Sequence, residues 1–331
     1  MALLGLVFRD QAQKEQYLSV KSGKDWKRET VRQWSHDPAG TGEASSSGVV
    51  SISAEDLASF DALESNRYEI YAPWLPAEAA FAAHRGQRVL EVGYGTGTDL
   101  LQFSRGGADV YGVDMTPRSA RLASKRFALY GQGAGFMTAE AEALPFPDDS
   151  FDHVYSFGVL HHIEDTQACI DEIRRVLRPG GSAFVALYHQ TSWHFLVDIL
   201  LEHTVRLGRY GGRRVGLEER LSMVEYSGVG AMPLVKVYTK RAARELFSEY
   251  RRVRTSAAHF NLDDIARSLY GYLRPALGQS LGSPRPTPGE STTRSVAKEG
   301  IRNALNRGPL GRLGRRLSQY LGWYVIVRAI K

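Results

Sequence analysis

Cysteine is almost absent from this 331-residue chain: Cys169 is the only one, which excludes an intrachain disulfide and fits a reducing compartment. Long apolar runs are absent too. No stretch of 18 apolar residues occurs, so no membrane-spanning helix is predicted. The short run Leu3–Phe8 has neither a basic region before it nor a small-residue cleavage site after it, and makes a poor signal peptide. The expectation is a soluble cytoplasmic protein. Acid is missing from residues 301–331, which carry seven Lys or Arg, against a net charge of only +6 for the whole chain. A solvated basic face is the favoured reading, with phosphate, nucleic acid or lipid head groups as the alternative partners. No internal repeat is visible. At 43% hydrophobic and 24% charged, the composition is that of a globular protein with a sizeable core.

From Gln87 the hydrophobic pattern alternates between strand and helix. Strands are predicted at Arg88–Val92, Asp109–Val113, Gly135–Ala139, Phe151–Phe157 and Ser182–His189. Helices fit between them at Thr98–Ser104, Pro117–Tyr130 and Thr166–Val176, and Arg178-Pro-Gly-Gly181 reads as a turn. This alternation argues for an α/β fold with a parallel sheet covered on both faces. Before it, helices are expected around Asp10–Val20 and Asp25–Trp34, a Gly/Ser-rich loop at 37–53, and two helices within Ala54–His84 placed over the ligand. After it come a helix at Thr191–Arg209, an irregular stretch at 210–234, a helix at Thr239–Glu249 and a strand at Arg251–His259. Residues 275–300 hold four of the thirteen prolines and read as a disordered insertion. A basic amphipathic helix at Pro309–Tyr320 and a strand at Trp323–Ala329 close the chain.

The chemistry centres on Glu91-Val-Gly93-Tyr94-Gly95-Thr96-Gly97, a strand end passing into a glycine turn and then a helix. Glycine permits unusual dihedrals and lets a ligand lie directly on the backbone at a helix N-terminus. A dinucleotide site would ask for G-x-G-x-x-G. Counted from Gly93 or from Gly95, the third glycine is replaced by Thr98 or Leu100. Asp114 ends the next strand beside the turn, where a carboxylate can accept both hydroxyls of a ribose, and Met115 can pack on a purine face. Thr116 already suits the helix N-cap, which weakens a purely structural role for Asp114.

Ala139–Asp152 and Val154–Asp165 complete an ordered set of four motifs. Together they resemble the class I S-adenosylmethionine-dependent methyltransferases, in particular the ubiquinone/menaquinone-type subgroup. The resemblance is close over Arg88–Tyr188 and looser at Arg67-Tyr68 and the C-terminal strands. It implies that Glu91 and Gly93, Tyr94, Gly95, Thr96 and Gly97 hold the amino-acid end of the cofactor, with Asp114 at its ribose. Glu140, where the family usually has aspartate, would accept from the adenine amino group beside Ala141, and Ser156 and Phe157 would lie beside the methionine moiety. Tyr94 stands where a small residue or cysteine is more usual. His161 and His162 follow the fourth strand, and are candidate general bases or braces of their loop. Tyr68, Tyr188, His189 and Trp193 are candidates for the acceptor side.

The expected architecture is a Rossmann-like, seven-stranded class I methyltransferase sheet with a final antiparallel pair. A helical extension (1–84) precedes the core (85–190), an acceptor cap (191–250) follows it, and residues 251–331 return the last strands. Arg206, Arg209, Arg213 and Arg214 in the cap are candidates for an anionic group. Leu310, Leu313, Leu317 and Leu321 line one side of the basic C-terminal helix, with Arg312, Arg315 and Arg316 elsewhere on it. Core packing is favoured there over peripheral membrane contact. The implied reaction is methyl transfer from S-adenosylmethionine to a small acceptor, a specialised metabolite or lipid-linked molecule, with no metal. The rival readings are an NAD(P)-dependent Rossmann oxidoreductase and a non-catalytic cofactor-binding or membrane-surface protein.

Overall fold

The computed structural model describes residues 24–36, 55–197, 221–222, 233–260, 265 and 308–331. The described residues within Met1–Tyr188, Gly216–Thr255 and Val325–Lys331 form one compact unit, and those within His189–Val215 and Ser256–Tyr324 form another. The expected helix at Asp10–Val20, the loop at 37–53 and the insertion at 275–300 lie outside the described residues. So do the four cap arginines.

In the first unit, helices α1 (Lys24–His36), α2 (Leu57–Ser65) and α3 (Leu75–Ala79) precede the sheet. The two helices expected within Ala54–His84 are more broken than predicted. A π-helical turn, Asn66–Tyr71, follows α2, and a 3₁₀ turn, Phe81–His84, follows α3. The break falls at Ala80, a non-glycine residue held at φ 50°.

The alternating region then gives β1 (Arg88–Val92), α4 (Thr98–Arg105), β2 (Asp109–Asp114), α5 (Pro117–Leu129), β3 (Gly135–Thr138), β4 (Phe151–Phe157), α6 (Thr166–Val176) and β5 (Leu177–Tyr188). Later come α7 (Lys240–Leu246), β6 (Arg252–Ala258), α8 (Gly308–Leu321) and β7 (Tyr324–Ile330). The Thr116 cap matches its sequence signal, and Asp165 caps the later helix α6. Thr116 accepts from Ser119 N–H at 3.3 Å ahead of Pro117, and Asp165 accepts from Ala168 N–H at 3.0 Å. Helix α6 buries Cys169, Ile170, Ile173 and Val176, one face at helical spacing.

The seven strands run in the order β3-β2-β1-β4-β5-β7-β6. The pairs β3–β2, β2–β1, β1–β4 and β4–β5 are parallel. Strand β7 turns back against β5: Lys331 N–H donates to Gly181 O at 3.0 Å at one end, and His189 N–H donates to Trp323 O at 2.8 Å beyond the other. This is the expected seven-stranded sheet with its antiparallel end. Because the order reverses after β1, right-handed crossovers place α4 and α5 on one face and α6 on the other. The reversal also opens a crevice beyond the carboxyl ends of β1 and β4.

One boundary departs from prediction. Arg178–Gly181 was expected as a turn ahead of the fifth strand, yet β5 begins at Leu177. Phe151 pairs with Leu177 and His153 with Ser182, so the four residues loop out of a strand already under way. Gly180 at φ 80° makes the excursion possible. In the second unit, Trp323 N–H donates to His259 O at 2.9 Å, and Gly322 packs so closely on the Ala258 backbone that no Cβ would fit.

Candidate cofactor and acceptor site

The turn between β1 and α4 is built from three left-handed glycines, Gly93 (φ 80°), Gly95 (φ 53°) and Gly97 (φ 71°). Gly93 N–H donates to Val113 O at 2.7 Å, and Gly97 N–H closes the turn on Tyr94 O at 2.7 Å. A Cβ on Gly93 would overlap the Val159 side chain, so glycine is required there twice over, by dihedral and by space. Gly97 is the N-cap of α4 and offers no side chain to its first amides. The helix end is therefore open to a ligand or to a neighbouring carboxylate.

Asp114 and Glu91 stand on either side of this turn. Asp114 Oδ2 accepts from Gly95 N–H at 3.0 Å, while Oδ1 accepts from the Thr116 amide and hydroxyl, each at 2.9 Å. Its carboxylate thus fixes the glycine turn. Burial pushes its pKa up, against the pull of those donors. Glu91 is 4% exposed. It accepts from the Leu100 amide in the first turn of α4, while its Oε2 is buried without a partner among the described residues. Burial first, then the charge of Asp99, holds Glu91 well above the ordinary carboxylate range.

Asp99 behaves in the opposite way. Burial opposes its ionisation, but Arg67, Tyr68 and Tyr155 together carry its pKa below the ordinary value. Arg67 Nε donates at 3.1 Å and its Nη2 adds a second bond. The Tyr68 hydroxyl donates at 2.7 Å and that of Tyr155 at 2.8 Å. Arg67 also lies 4.2 Å over the Phe157 ring. Tyr68, expected on the acceptor side, instead ties the π-helical turn to α4. Asp99 and Tyr155 were not expected at all. An acid in the first turn of a helix reads as an ordinary dipole partner, and nothing local shows that an arginine more than thirty residues upstream will meet it.

The remaining cofactor candidates divide. Tyr94 turns back over β2 and packs on Phe136 with ring centroids 5.1 Å apart. A Cβ at Gly112 would overlap its ring, so Gly112 supplies the space it fills. Thr96 is buried and shares a hydrogen bond with Thr98 at 3.0 Å. Ser156 is buried and donates to Val92 O at 2.9 Å, binding β4 to β1. Met115 and Phe157 are half-buried at their strand ends, and Ala141 is 9% exposed. Glu140 is exposed and paired with Lys27 of α1.

Of the candidate bases, His161 is fully buried, and neither ring nitrogen has a hydrogen-bond partner among the described residues. It stacks on Tyr188 at 3.7 Å, and burial followed by the neighbouring His162 drives its pKa well below the ordinary value. His162 Nδ1 lies 2.7 Å from Leu234 O, so Nδ1 carries the proton and Nε2 is the basic nitrogen of the neutral ring. Trp34 of α1 lies 5.1 Å from the His162 ring. In the second unit, His189 is held by Gly322 O at 2.9 Å and the Thr191 hydroxyl at 2.8 Å, and Trp193 packs on Phe260 at 6.1 Å. Both His189 nitrogens are therefore spent on structure.

The methyltransferase-domain family matches residues 90–185, the segment from the end of β1 to the middle of β5. Over this segment, under a third of its length, the chain is similar to methyltransferase domains. An uncharacterized methyltransferase of Mycolicibacterium vanbaalenii is 32% identical over 166 residues, 50% of this chain and 54% of that protein. A demethylmenaquinone methyltransferase of Streptomyces avermitilis is 33% identical over 128 residues, 38% of this chain and 53% of that one. The chain spans between 42% and 54% of the first such relatives. Among solved structures, the YcgJ protein of Bacillus subtilis covers 78% of this chain at 21% identity and a TM-score of 0.45, over 97% of its own length.

Proposed function

We propose that the protein transfers the methyl group of S-adenosylmethionine to a small acceptor, a specialised metabolite or a lipid-linked molecule. The observation that carries this reading is the glycine turn at 93–97, held by Asp114 through Gly95 and flanked by Glu91, whose Oε2 has no partner among the described residues. A turn whose Gly93 has no room for a side chain, beside a buried carboxyl oxygen with no donor among the described residues, fits the amino-acid end of that cofactor. In this reading Asp114, oriented by Thr116, accepts from the ribose, with Met115 and Ala141 beside the adenine. When bound, the cofactor supplies an electrophilic methyl on its sulfonium.

The chain's own residues need only align the acceptor and exclude water. The burial that keeps His161 neutral also disfavours its taking a proton, so the candidate base is His162. His162 is held by Leu234 with Nε2 as its basic nitrogen, in the same small cluster of rings with Tyr188 and Trp34. The test is calorimetry with S-adenosylhomocysteine and with NAD, followed by labelled-cofactor incubation with a metabolite extract. S-adenosylhomocysteine is expected to bind and NAD not. Binding of NAD alone, or no labelled product from any extract, would overturn the reading.

A further inference from the structure

The charge balance beneath the glycine turn is uneven. Among the described residues, Glu91 is faced by Asp99 from α4, Arg67 and Tyr68 from the π-helical turn, Asp114 from β2, Tyr94 from the turn itself and Tyr155 from β4. Of these, only Arg67 is a cation, and both of its hydrogen bonds go to Asp99. Asp99 also takes the hydroxyls of Tyr68 and Tyr155. Asp114 is engaged by Gly95 and Thr116. What is left for Glu91 is one amide at the start of α4, and its Oε2 has no donor among the described residues although Glu91 is 4% exposed.

A buried carboxylate with one unpaired oxygen, beside a second carboxylate that has taken the local arginine, is unstable as an anion. A neutral carboxylic acid is stable in the same place. A ligand that brings a cation to Oε2 reverses the preference. We infer that Glu91 is a proton-exchanging selector: the ligand-free protein holds it as the carboxylic acid, and a ligand's ammonium group displaces that proton on binding. The inference rests on the proposed cofactor reading, in which Glu91 meets the amino-acid end, and adds that a proton leaves when that end binds. No bond other than Glu91 O–H is broken, and the proton passes to buffer. The upward push on Glu91 from burial and Asp99 agrees with this assignment. Affinity for an ammonium-bearing ligand then rises with pH until Glu91 is ionised in the free protein. Affinity for the same nucleoside without its amino-acid tail does not.

The test is isothermal calorimetry at pH 6.0 and pH 8.0, in buffers of different ionisation enthalpy, on the full chain. The probes are S-adenosylhomocysteine, which carries the ammonium, and 5′-methylthioadenosine, which lacks it. At pH 6.0 S-adenosylhomocysteine should release about one proton per site and methylthioadenosine none. Glu91→Gln, which copies the neutral acid in shape, should abolish the release and weaken S-adenosylhomocysteine about tenfold or more at pH 8.0. It should leave methylthioadenosine binding unchanged. In the infrared, the carbonyl band of a protonated carboxyl group should disappear when S-adenosylhomocysteine is added, and be missing from the variant throughout. Binding without proton release, or equal release in Glu91→Gln, overturns the inference. No binding of either probe overturns the cofactor reading instead.

Discussion

The Arg67–Asp99 pair offers the sharpest test of what holds the site together. Asp99 is 4% exposed and accepts four hydrogen bonds from described residues, two from Arg67 and one each from Tyr68 and Tyr155. The Arg67 side chain is 19% exposed, so solvent screens the pair only weakly. Removing one member of such a pair leaves a buried charge without its counterion, at about 3–5 kcal/mol. Asp99→Leu should sit at the upper end of that range, because two tyrosine hydroxyls also lose their acceptor. Arg67→Met should sit at the lower end, since both tyrosines still solvate Asp99. The double variant Arg67→Met/Asp99→Leu removes both charges together and should cost at least about 2 kcal/mol less than the sum of the singles. Urea unfolding followed by tryptophan fluorescence measures all four corners of the cycle at constant pH. Single costs below about 1 kcal/mol that add without coupling would refute the reasoning and reduce the pair to a surface-like contact.

Three further outcomes are expected. Gly112→Ala should destabilise by about 1–3 kcal/mol through overlap with Tyr94, and lose most of that penalty in a Tyr94→Ala background; thermal unfolding of the four proteins decides it. His153, depressed by burial and then by His84, stays neutral in the fold but can charge in the unfolded chain, so it supports the fold above its ordinary value of 6.5 and withdraws that support as pH falls. Replacing it by Phe should flatten the acid side of the stability profile by about 1.4 kcal/mol per pH unit, and an unchanged slope would contradict its burial as a neutral ring. Lys27→Ala should leave stability within about 0.5 kcal/mol, since the pair with Glu140 is half-exposed. Its affinity for S-adenosylhomocysteine should rise rather than fall if Glu140 meets adenine, and a drop in titration calorimetry would assign Lys27 to the ligand instead.

The core of the fold was legible because its signals are local. Strand β1, helix α6 and the cap at Thr116 stand at or within a residue of where periodicity and capping chemistry put them. The looped start of β5 was not legible. Pro-Gly-Gly spells a turn wherever it occurs, and only pairing with β4 reveals that the strand has already begun. The site follows the same division. The glycine turn at Gly93–Gly97 could be read as a turn because three closely spaced glycines spell it locally, and the structure adds the bond from Gly95 to Asp114. The Asp99 network could not, since Arg67, Asp99 and Tyr155 come from three separate elements and meet only after folding. Glu140 and His189 were read from position alone, and their side chains have other partners here, Lys27 for one and Gly322 and Thr191 for the other.

Tyr94 and Gly112 form a lock whose two halves are eighteen residues apart. The ring of one occupies the volume that the other leaves by having no side chain, and its buried hydroxyl has no partner among the described residues. Neither residue can therefore drift alone. A side chain at 112 demands a smaller residue at 94, and a smaller residue at 94 opens a hole against Phe136 that a larger residue at 112 is placed to fill. Exchange between related sequences should occur in pairs, so a chimera that joins a foreign glycine turn to this β2 would inherit either a collision or a void.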